Sequence, residues 1–270
     1  MISKQQQKYI QSLHNKKYRT EYGEFLVEGE KGLEELLASD FEIVRIYCSE
    51  EFAARRLAGQ RFAGRHSFGQ VPISQRFPDQ HPATHPSLIE AVIAPAAAIA
   101  AVSTFKSNSA GVAVVKQKRP TSPQNFETVT LILDNIHDPG NLGTIIRLAD
   151  WYGIRNVVCS PETVEFYNPK VISSTMGSFT RVNVFYTPLP GFLQEFGLPV
   201  YGADLEGTNV HHQRFEEKMG LVIGSESHGI SPEVSALLTG KVTIPRLGKA
   251  ESLNAAMATG IILDNIFRGT

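Results

Sequence analysis

Short apolar, β-branched runs alternate with longer helix-compatible segments through the second half of the chain. The strand-like runs are VTLILD, RNVVCS, LPVYGAD, LVIGSE and KVTIP. The helix-compatible segments are NLGTIIRLADWYG, PLPGFLQEFG, SPEVSALLTG and SLNAAMATGIILDNIFRG. Strands that alternate with helices predict a parallel sheet covered on both faces. Because such sheets bind ligands at the carboxyl ends of their strands, the residues after LILD, LVIG and VTIP are the candidates for a binding site.

The first half of the chain has a pattern that predicts a smaller α/β domain. GEFLVEGEKGLEELLAS is typical of a short strand followed by an amphipathic helix, since Leu33, Leu36 and Leu37 recur at helical spacing. FEIVRIYCS and AGVAVVKQ are typical of strands. The stretch from about Gly59 to Pro95 is rich in Ala, Pro, His and Phe and has no clear period.

The segment KRPTSPQNFE separates these two patterns. It contains two prolines, is mostly polar and has no periodicity, which is typical of a linker. We therefore predict a domain over residues 1–117, a linker over 118–127 and a second domain over 128–270.

Composition is that of an ordinary globular protein. Of the 270 residues, 42% are hydrophobic and 20% charged, and no apolar run approaches the roughly 20 residues of a membrane-spanning helix. The start of the chain lacks the apolar core of a secretory signal. Cys48 and Cys159 are far apart and lack metal-ligand spacing, so we expect reduced thiols and no bound metal. These features predict a cytoplasmic protein without a membrane partner.

Charge is unevenly distributed along the chain. The net charge is -1, yet the first twenty residues contain no acid and five cations: Lys4, Lys8, Lys16, Lys17 and Arg19. Such a segment is either a solvated helix face or a contact for a nucleic acid, and charge alone favours neither.

The first candidate motif is LILDNIHDPGNLGTIIRLADWYGI. A buried strand ends at Asp134, a turn with Asp138 follows, and Asn141 can cap the helix beside it. Arg147 lies among apolar neighbours, where an unpaired arginine kept only for structure would be costly. Asn141, Gly143 and Arg147 can face one side of a loop–helix junction that favours anions. For Asn141 alone, a purely structural role in capping is an equal alternative.

The second motif is LVIGSESHG. Gly224 at the end of the strand permits a ligand to approach the backbone closely, and Glu226 is a lone acid at that edge of the sheet. The alternative for Glu226 is an exposed loop carboxylate. The S-x-S-x-G spacing around Ser227 also resembles the nucleophile elbow of an α/β-hydrolase. Chain order disfavours that enzyme class, because the only histidine after Ser227 is its neighbour His228.

The third motif is VTIPRLGKAESLNAAMATGIILDNIF. A strand ends at Ile244, a loop with Gly248 follows, and Ser252 and Asn254 open the last helix. Ser252 as a helix cap is an alternative that is compatible with a binding role, because a ligand would touch the preceding loop. None of the three motifs is a dinucleotide fingerprint or a P-loop. Spacing alone thus predicts a site built from three strand-end loops without naming its ligand.

In this order, DPGNLGTIIR, GSESHG and IPRLGKAESLNAAMATG resemble the three motifs of the SpoU (TrmH) family of RNA ribose methyltransferases, within the SPOUT superfamily. The likeness covers roughly residues 126 to 268. YNPKVISSTMGS resembles the family's segment between the first and second motifs. QSLHNKKYRTEYGEFLVEGEKGLEELL resembles its N-terminal substrate-binding domain, which is similar to small ribosomal RNA-binding proteins.

The resemblance implies an α/β fold in which the C-terminal parallel-sheet domain contains a deep trefoil knot and pairs with a second copy as a homodimer. It also implies S-adenosylmethionine as the cofactor. The residues that match cofactor-binding positions are Gly224, Glu226, Ile244, Ser252, Leu253 and Asn254. Those that match the reaction centre are Asn141 and Arg147. The N-terminal domain would bind RNA through Lys16, Lys17 and Arg19.

The implied reaction methylates a ribose 2′-hydroxyl and needs no metal. The enzyme has to align the ribose oxygen with the methyl sulfonium and help to remove the oxygen's proton. Arg147 would either bind the neighbouring phosphate and stabilise charge at the 2′-oxygen or act as the base, although arginine is normally a poor base. The separate N-terminal domain favours ribosomal over transfer RNA as the substrate. The alternative is a noncatalytic RNA-binding protein that retains the fold.

Three features depart from the family pattern. Ser173 stands where many members carry arginine, and Arg246 replaces a small or apolar residue after Ile-Pro. Ser227 and His228 occupy a loop that commonly varies. None of these departures removes a residue that methyl transfer needs.

Overall fold

A computed structural model of the chain describes residues 2–57, 90–105, 107–119, 122 and 126–268. The chain folds into two compact units, Met1–Lys118 and Arg119–Thr270. Most of the aperiodic stretch from Gly59 to Pro95, and part of the predicted linker, lie outside the described residues.

The first unit contains a four-stranded sheet and short helices. Its strands are β1 (Glu24–Glu28), β2 (Ile43–Cys48), β3 (Ala91–Ile93) and β4 (Gly111–Lys116). Its helices are α1 (Lys4–Ser12), α2 (Lys16–Tyr22), α3 (Glu30–Leu37), α4 (Glu50–Phe52), which continues as a π-helical turn over Ala53–Leu57, and α5 (Ala96–Ala100). The sheet order is β1-β4-β2-β3, with β4 antiparallel to both of its neighbours. The predicted strands β1, β2 and β4 and the predicted helix α3 are confirmed.

The core of the first unit explains why these segments fold. All five residues of β1 are buried, so this strand is covered on both faces. Leu33 and Leu36, at helical spacing, are buried on α3. At the start of the chain, Ser3 and Gln6 form a capping box that begins α1. Cys48 is buried with a free thiol in this unit, as Cys159 is in the second.

The second unit contains six parallel strands. They are β5 (Thr130–Leu133), β6 (Asn156–Cys159), β7 (Asn183–Tyr186), β8 (Val200–Asn209), β9 (Gly220–Ile223) and β10 (Gly240–Thr243). The order is β10-β8-β9-β5-β6-β7, and each neighbouring pair is parallel. The predicted parallel sheet is confirmed, and β7 is an edge strand that the apolar pattern did not indicate.

Helices connect the strands of this sheet. They are α6 (Pro139–Trp151), α7 (Pro169–Ser174), α8 (Leu189–Phe196), α9 (Pro232–Ser235) and α10 (Ala255–Ile266), with a 3-10 turn over Ser178–Thr180. On α8, Leu189, Leu193 and Phe196 are buried against Val200 and Val222 of the sheet.

Two helices begin at residues other than those expected. The side chain of Asp138, not of Asn141, caps α6 by accepting a hydrogen bond of 2.8 Å from the Asn141 N–H. Asn254, not Ser252, caps α10, and its Oδ1 accepts from the N–H groups of Ala256 and Met257 at 3.0 and 3.2 Å. Each helix is capped by a polar side chain, but by a residue other than the one predicted, because several polar candidates precede each helix.

Within the described ranges, no helix has the length and apolar character that a membrane span requires. The same residues contain no group of three or more His, Cys, Asp or Glu side chains that could hold a metal ion.

Candidate functional site

The carboxyl ends of the central strands bring the first two motifs together. Asp134 directly follows β5, and its buried carboxylate accepts a hydrogen bond of 2.7 Å through Oδ2 from the N–H of Ser231. Ser231 lies beyond the loop that follows β9, the strand next to β5. This bond holds the two strand-end loops against each other, as the parallel topology predicts.

Three polar side chains, one from each motif, form a closed triangle of hydrogen bonds. Asn141 donates through Nδ2 to Oε1 of Glu226 at 2.8 Å. Asn254 donates through Nδ2 to Oδ1 of Asn141 at 2.8 Å and to Oε1 of Glu226 at 2.9 Å. The Ala255 N–H also reaches Oε1 of Glu226, at 3.3 Å. The three motifs, distant in sequence, therefore converge at one point.

The surroundings of the Glu226 carboxylate stabilise its own negative charge. It accepts a backbone N–H of the first turn of α10, where the partial positive charge of the helix favours an anion. Its Oε1 is the shared acceptor of the triangle, and none of the hydrogen bonds among the described residues uses Oε2. Glu226 is exposed, so Oε2 is available to a ligand.

A cavity of about 630 Å³ opens beside this triangle. Its walls come from the loops after β9 and β10 and from the first turns of α10. Among the lining residues are the predicted cofactor-binding positions Gly224, Glu226, Ile244, Ser252 and Leu253. Asn254 is not part of the lining but joins the site through its hydrogen bond to Glu226.

A further acid, which the sequence analysis missed, lines the same cavity. Asp204 forms an ion pair with Lys241 at 2.7 Å and accepts the Glu206 N–H at 3.0 Å. Partial burial by itself raises the pKa of Asp204, but the hydrogen bonds from Lys241 and Glu206 outweigh it and lower the pKa below its ordinary value. Asp204 lies within β8 (Val200–Asn209) and not at its carboxyl end, so the rule of strand ends would not have identified it.

The tight loop after β9 requires a glycine at position 224. A side chain at Gly224 would overlap the backbone of Gly229 and Ile230. The N–H of Ser225 donates to the carbonyl of Gly229 at 3.0 Å, and the reverse bond is 2.9 Å. The glycine therefore permits a tight loop, and its expected role in the approach of a ligand stays a prediction.

The same loop does not have the geometry of a hydrolase. Ser227 and His228 are both exposed, and the Ser225 hydroxyl accepts the backbone N–H of His228 at 3.2 Å. No histidine among the described residues is hydrogen-bonded to Ser227. The nucleophile–base pair that an acyl-transfer enzyme requires is therefore missing from this part of the chain.

Arg147 lies on a different side of α6 from Asn141. Asn141 is 9% exposed and points to Glu226, whereas Gly143 packs so closely against α7 that a Cβ would lie 2.7 Å from the carbonyl of Val171. Arg147, one turn after Gly143, is exposed, and no residue of the described ranges forms an ion pair or hydrogen bond with it. The expected common face and the expected cost of burying Arg147 were both wrong, but exposure leaves the guanidinium accessible.

The basic segment at the start of the chain divides into exposed and buried cations. Lys16 and Lys17 are exposed in the first turn of α2. Arg19 is only 2% exposed, and its Nη1 donates to the carbonyl of Leu13 at 2.8 Å. The prediction that Arg19 binds RNA is corrected, because its guanidinium holds the loop between α1 and α2.

Comparisons with known proteins identify the family of the chain. The model of the SpoU rRNA Methylase family matches residues 128–264, and that of the MRM3-like substrate binding domain matches residues 4–73. A 23S rRNA (guanosine(2553)-2′-O)-methyltransferase, RlmP of Bacillus subtilis, is 29% identical over 255 residues, which is 93% of this chain and 91% of that protein.

Solved structures of other proteins share the fold of this chain. A TrmH-family protein from Porphyromonas gingivalis is 32% identical and superposes with a TM-score of 0.79 over 98% of each chain. The SpoU methyltransferase AviRb of Streptomyces viridochromogenes, solved with AdoMet, shares the fold with a TM-score of 0.78 at 23% identity, over 97% of each chain. The resemblance of the three motifs is thus confirmed, and the chain belongs to the SpoU rRNA methylase family.

Proposed function

We propose that this protein transfers the methyl group of S-adenosylmethionine to a ribose 2′-hydroxyl of ribosomal RNA. The observation that carries the proposal is the triangle of Asn141, Glu226 and Asn254 beside the cavity. The family match supports the class of reaction. The full-length likeness to a relative named for 2′-O-methylation of 23S rRNA supports ribosomal over transfer RNA.

The cavity fits the proposed cofactor in size and charge. Its volume of about 630 Å³ lies within the range of small-molecule sites, roughly 300–1,000 Å³. Glu226 supplies negative charge in its wall, which suits the positive sulfonium and ammonium of S-adenosylmethionine, whereas the charge of Asp204 is compensated by Lys241. Gly224, Ile244 and Leu253 would hold the cofactor largely through their backbone groups, and Ser252 would line the same pocket. When bound, the cofactor supplies an activated methyl group.

The side chains of this protein have separate roles in cofactor binding, positioning and catalysis. Glu226 holds positive charge beside its Oε2, and Asn254 and Asn141 fix the orientation of that carboxylate. Asn141 is thus a positioning residue. Arg147 binds the phosphate beside the acceptor ribose and stabilises the charge that develops on the 2′-oxygen. This arrangement gives Arg147 an electrostatic role that does not require the guanidinium to lose its proton.

The domain roles extend the proposal. The C-terminal domain, 128–270, is knotted and pairs with a second copy, so that both subunits contribute to each site. The family match over residues 128–264 supports the knot. The N-terminal domain, 1–117, binds the RNA through Lys16 and Lys17, and the linker over 118–127 joins the two. We place the protein in the cytoplasm, where ribosomal RNA is its partner.

The test is methyl transfer in vitro. Purified protein, radiolabelled S-adenosylmethionine and total ribosomal RNA are expected to give labelled 2′-O-methylnucleosides, with transfer RNA as the comparison substrate. Label in transfer RNA alone would overturn the choice of substrate. S-adenosylmethionine binding by calorimetry with no transfer to either RNA would favour the alternative, a noncatalytic RNA-binding protein.

A further inference from the structure

Met176 is held in a backbone conformation that its side chain disfavours. Its φ is 52°, in the left-handed region that favours glycine, and the following Gly177 has a φ of 99°. Met176 and Asn135 are the two non-glycine residues with positive φ in the described ranges, and asparagine tolerates this region far better. Strain of this kind persists where the surroundings impose it and is concentrated at functional sites.

The end of α7 explains why Met176 has a left-handed backbone conformation, but not why the residue is a methionine. Helices commonly end with a left-handed residue one position after the cap, and glycine is the usual choice there. Thr175 is the cap of α7, so Met176 occupies this position. Its side chain is 47% exposed, so packing within the described residues does not account for a methionine. A glycine would meet the need of the helix end better.

The position of Met176 beside Arg147 follows from two contacts along α6. Gly143, Arg147 and Asp150 are spaced i, i+4 and i+7, which puts them on one face of the helix. A Cβ on Gly143 would meet Ser174, and the Ser178 hydroxyl donates to Oδ2 of Asp150 at 2.7 Å. Residues 174–178 therefore run along this face, which puts Met176 between the two contacts, on the face of α6 that carries Arg147.

Hydrogen bonds to Asp150 fix the end of this segment at Ser178. Arg181 donates through Nε and Nη2 to the carboxylate of Asp150, at 3.0 and 2.8 Å, and Ser178 shares that carboxylate. At the near end, the buried Thr175 hydroxyl donates to the carbonyl of Ile172 at 2.7 Å. Met176 thus lies in a turn that is fixed on both sides, over the face of α6 that carries the exposed Arg147.

We propose that Met176 and Arg147 form the subsite for the acceptor nucleotide, with the methionine against the base and the guanidinium on a flanking phosphate. A polarisable thioether suits an aromatic face, and a guanidinium suits a phosphate. A nucleotide offers both groups at once. Arg147 lies six residues from Asn141, about 9 Å along the helix axis and on a different side of α6. The subsite rests on the proposed function and makes Met176 a residue that positions the acceptor.

The test compares Met176→Gly, Met176→Ala and Met176→Leu in the full chain. Met176→Gly is expected to raise Tm by a few degrees, because glycine relieves the left-handed conformation. The same variant is expected to lower kcat/KM for RNA about tenfold, mainly through KM, with an unchanged Kd for S-adenosylmethionine. Met176→Ala is expected to lose as much activity without the gain in Tm. Met176→Leu, the matched control, keeps an apolar body and is expected to stay within about threefold of the wild type.

Each alternative has its own outcome. A Met176→Gly enzyme as active as the wild type overturns the subsite. A loss of activity that accompanies a shift in sedimentation from dimer to monomer also overturns it, because Met176 would then be covered by a second copy. Absence of methyl transfer by the wild type would instead overturn the proposed function itself.

Discussion

Asn141 and Glu226 are 85 positions apart in the chain and are joined by a hydrogen bond of 2.8 Å from Nδ2 to Oε1. The same Oε1 accepts from Asn254 and from the N–H of Ala255. Loss of this carboxylate would leave several donors without their acceptor, and the affected donors belong to two different motifs. Three of the hydrogen bonds that join the motifs therefore depend on one oxygen atom.

We expect Glu226→Ala to weaken S-adenosylmethionine binding by one to two orders of magnitude, because it removes both the charge and the shared acceptor. Asn254→Ala is expected to weaken binding as well, and it also removes the cap of α10. Glu226→Gln keeps an acceptor oxygen and should be milder than Glu226→Ala. Calorimetry with S-adenosylmethionine measures all three, and equal affinity of Glu226→Ala and wild type would contradict the proposed cofactor site.

Arg147→Ala is expected to reduce methyl transfer at least a hundredfold while cofactor affinity changes less than about twofold. The reason is that Arg147 is exposed, outside the cavity lining, and available to the RNA. Arg147→Lys keeps the charge without the planar fork and should recover part of the rate. Single-turnover rates and calorimetry separate the two effects. Equal losses of rate and cofactor affinity would make Arg147 a residue of the fold.

Neutralising Lys16 and Lys17 together, as glutamines, should weaken RNA binding and reduce the slope of log K against log salt by about 1.5. Arg19→Gln is the matched control, because the buried Arg19 has no access to RNA. It should leave the slope unchanged and lower the free energy of unfolding by about 1–3 kcal/mol. Filter binding over a salt series gives the slopes. An unchanged slope for the double variant would assign both lysines to a solvated helix face.

Asp150 should make the second unit sensitive to acid. Burial raises its pKa, but the hydrogen bonds from Arg181 and Ser178 outweigh this effect and lower it. A lowered folded-state pKa means that the stabilisation is full above the ordinary aspartate pKa of about 4 and is lost as pH falls through the folded value. Because both side chains are partly exposed, its size is about 1 kcal/mol.

Urea unfolding of Asp150→Asn measures this contribution. The variant should be less stable than the wild type at pH 7, and the difference should shrink towards pH 2–3. Asp264→Asn is the matched control, because Asp264 pairs with Arg268 at 3.7 Å on an exposed helix surface. Its effect should be near zero at every pH. A constant difference for Asp150→Asn across the pH range would show that ionisation is not involved.

The parts of the fold that are local in sequence could be predicted. β5, β6, β8, β9 and β10 stand out as β-branched runs, and α6 and α10 as long helix-compatible segments. β7 (NVFY) was missed, although it has the same length and the same polar first residue as the predicted β6 (NVVC). The short β3 pairs with a predicted strand, but it lies within the aperiodic stretch and has little pattern of its own.

The candidate site could be predicted only in part for the same reason. The rule of strand ends pointed to Glu226 and to the loop before Asn254, but spacing could not show that these side chains bind to Asn141. Hydrogen bonds across 85 and 113 positions depend on tertiary packing. The sequence could not show which arginines are buried either. Arg147 is exposed and Arg19 is buried, although both carry a guanidinium, because tertiary packing decides the burial of each.

The double engagement of Asn254 has a consequence for the order of events in folding. Its Oδ1 begins α10, and its Nδ2 closes the triangle with Asn141 and Glu226. A nascent chain that has passed β10 but not α10 therefore contains every strand of the sheet but has an unfinished cofactor pocket. During translation, the capacity to bind S-adenosylmethionine should arise abruptly, when this last helix docks, and not gradually as the sheet grows.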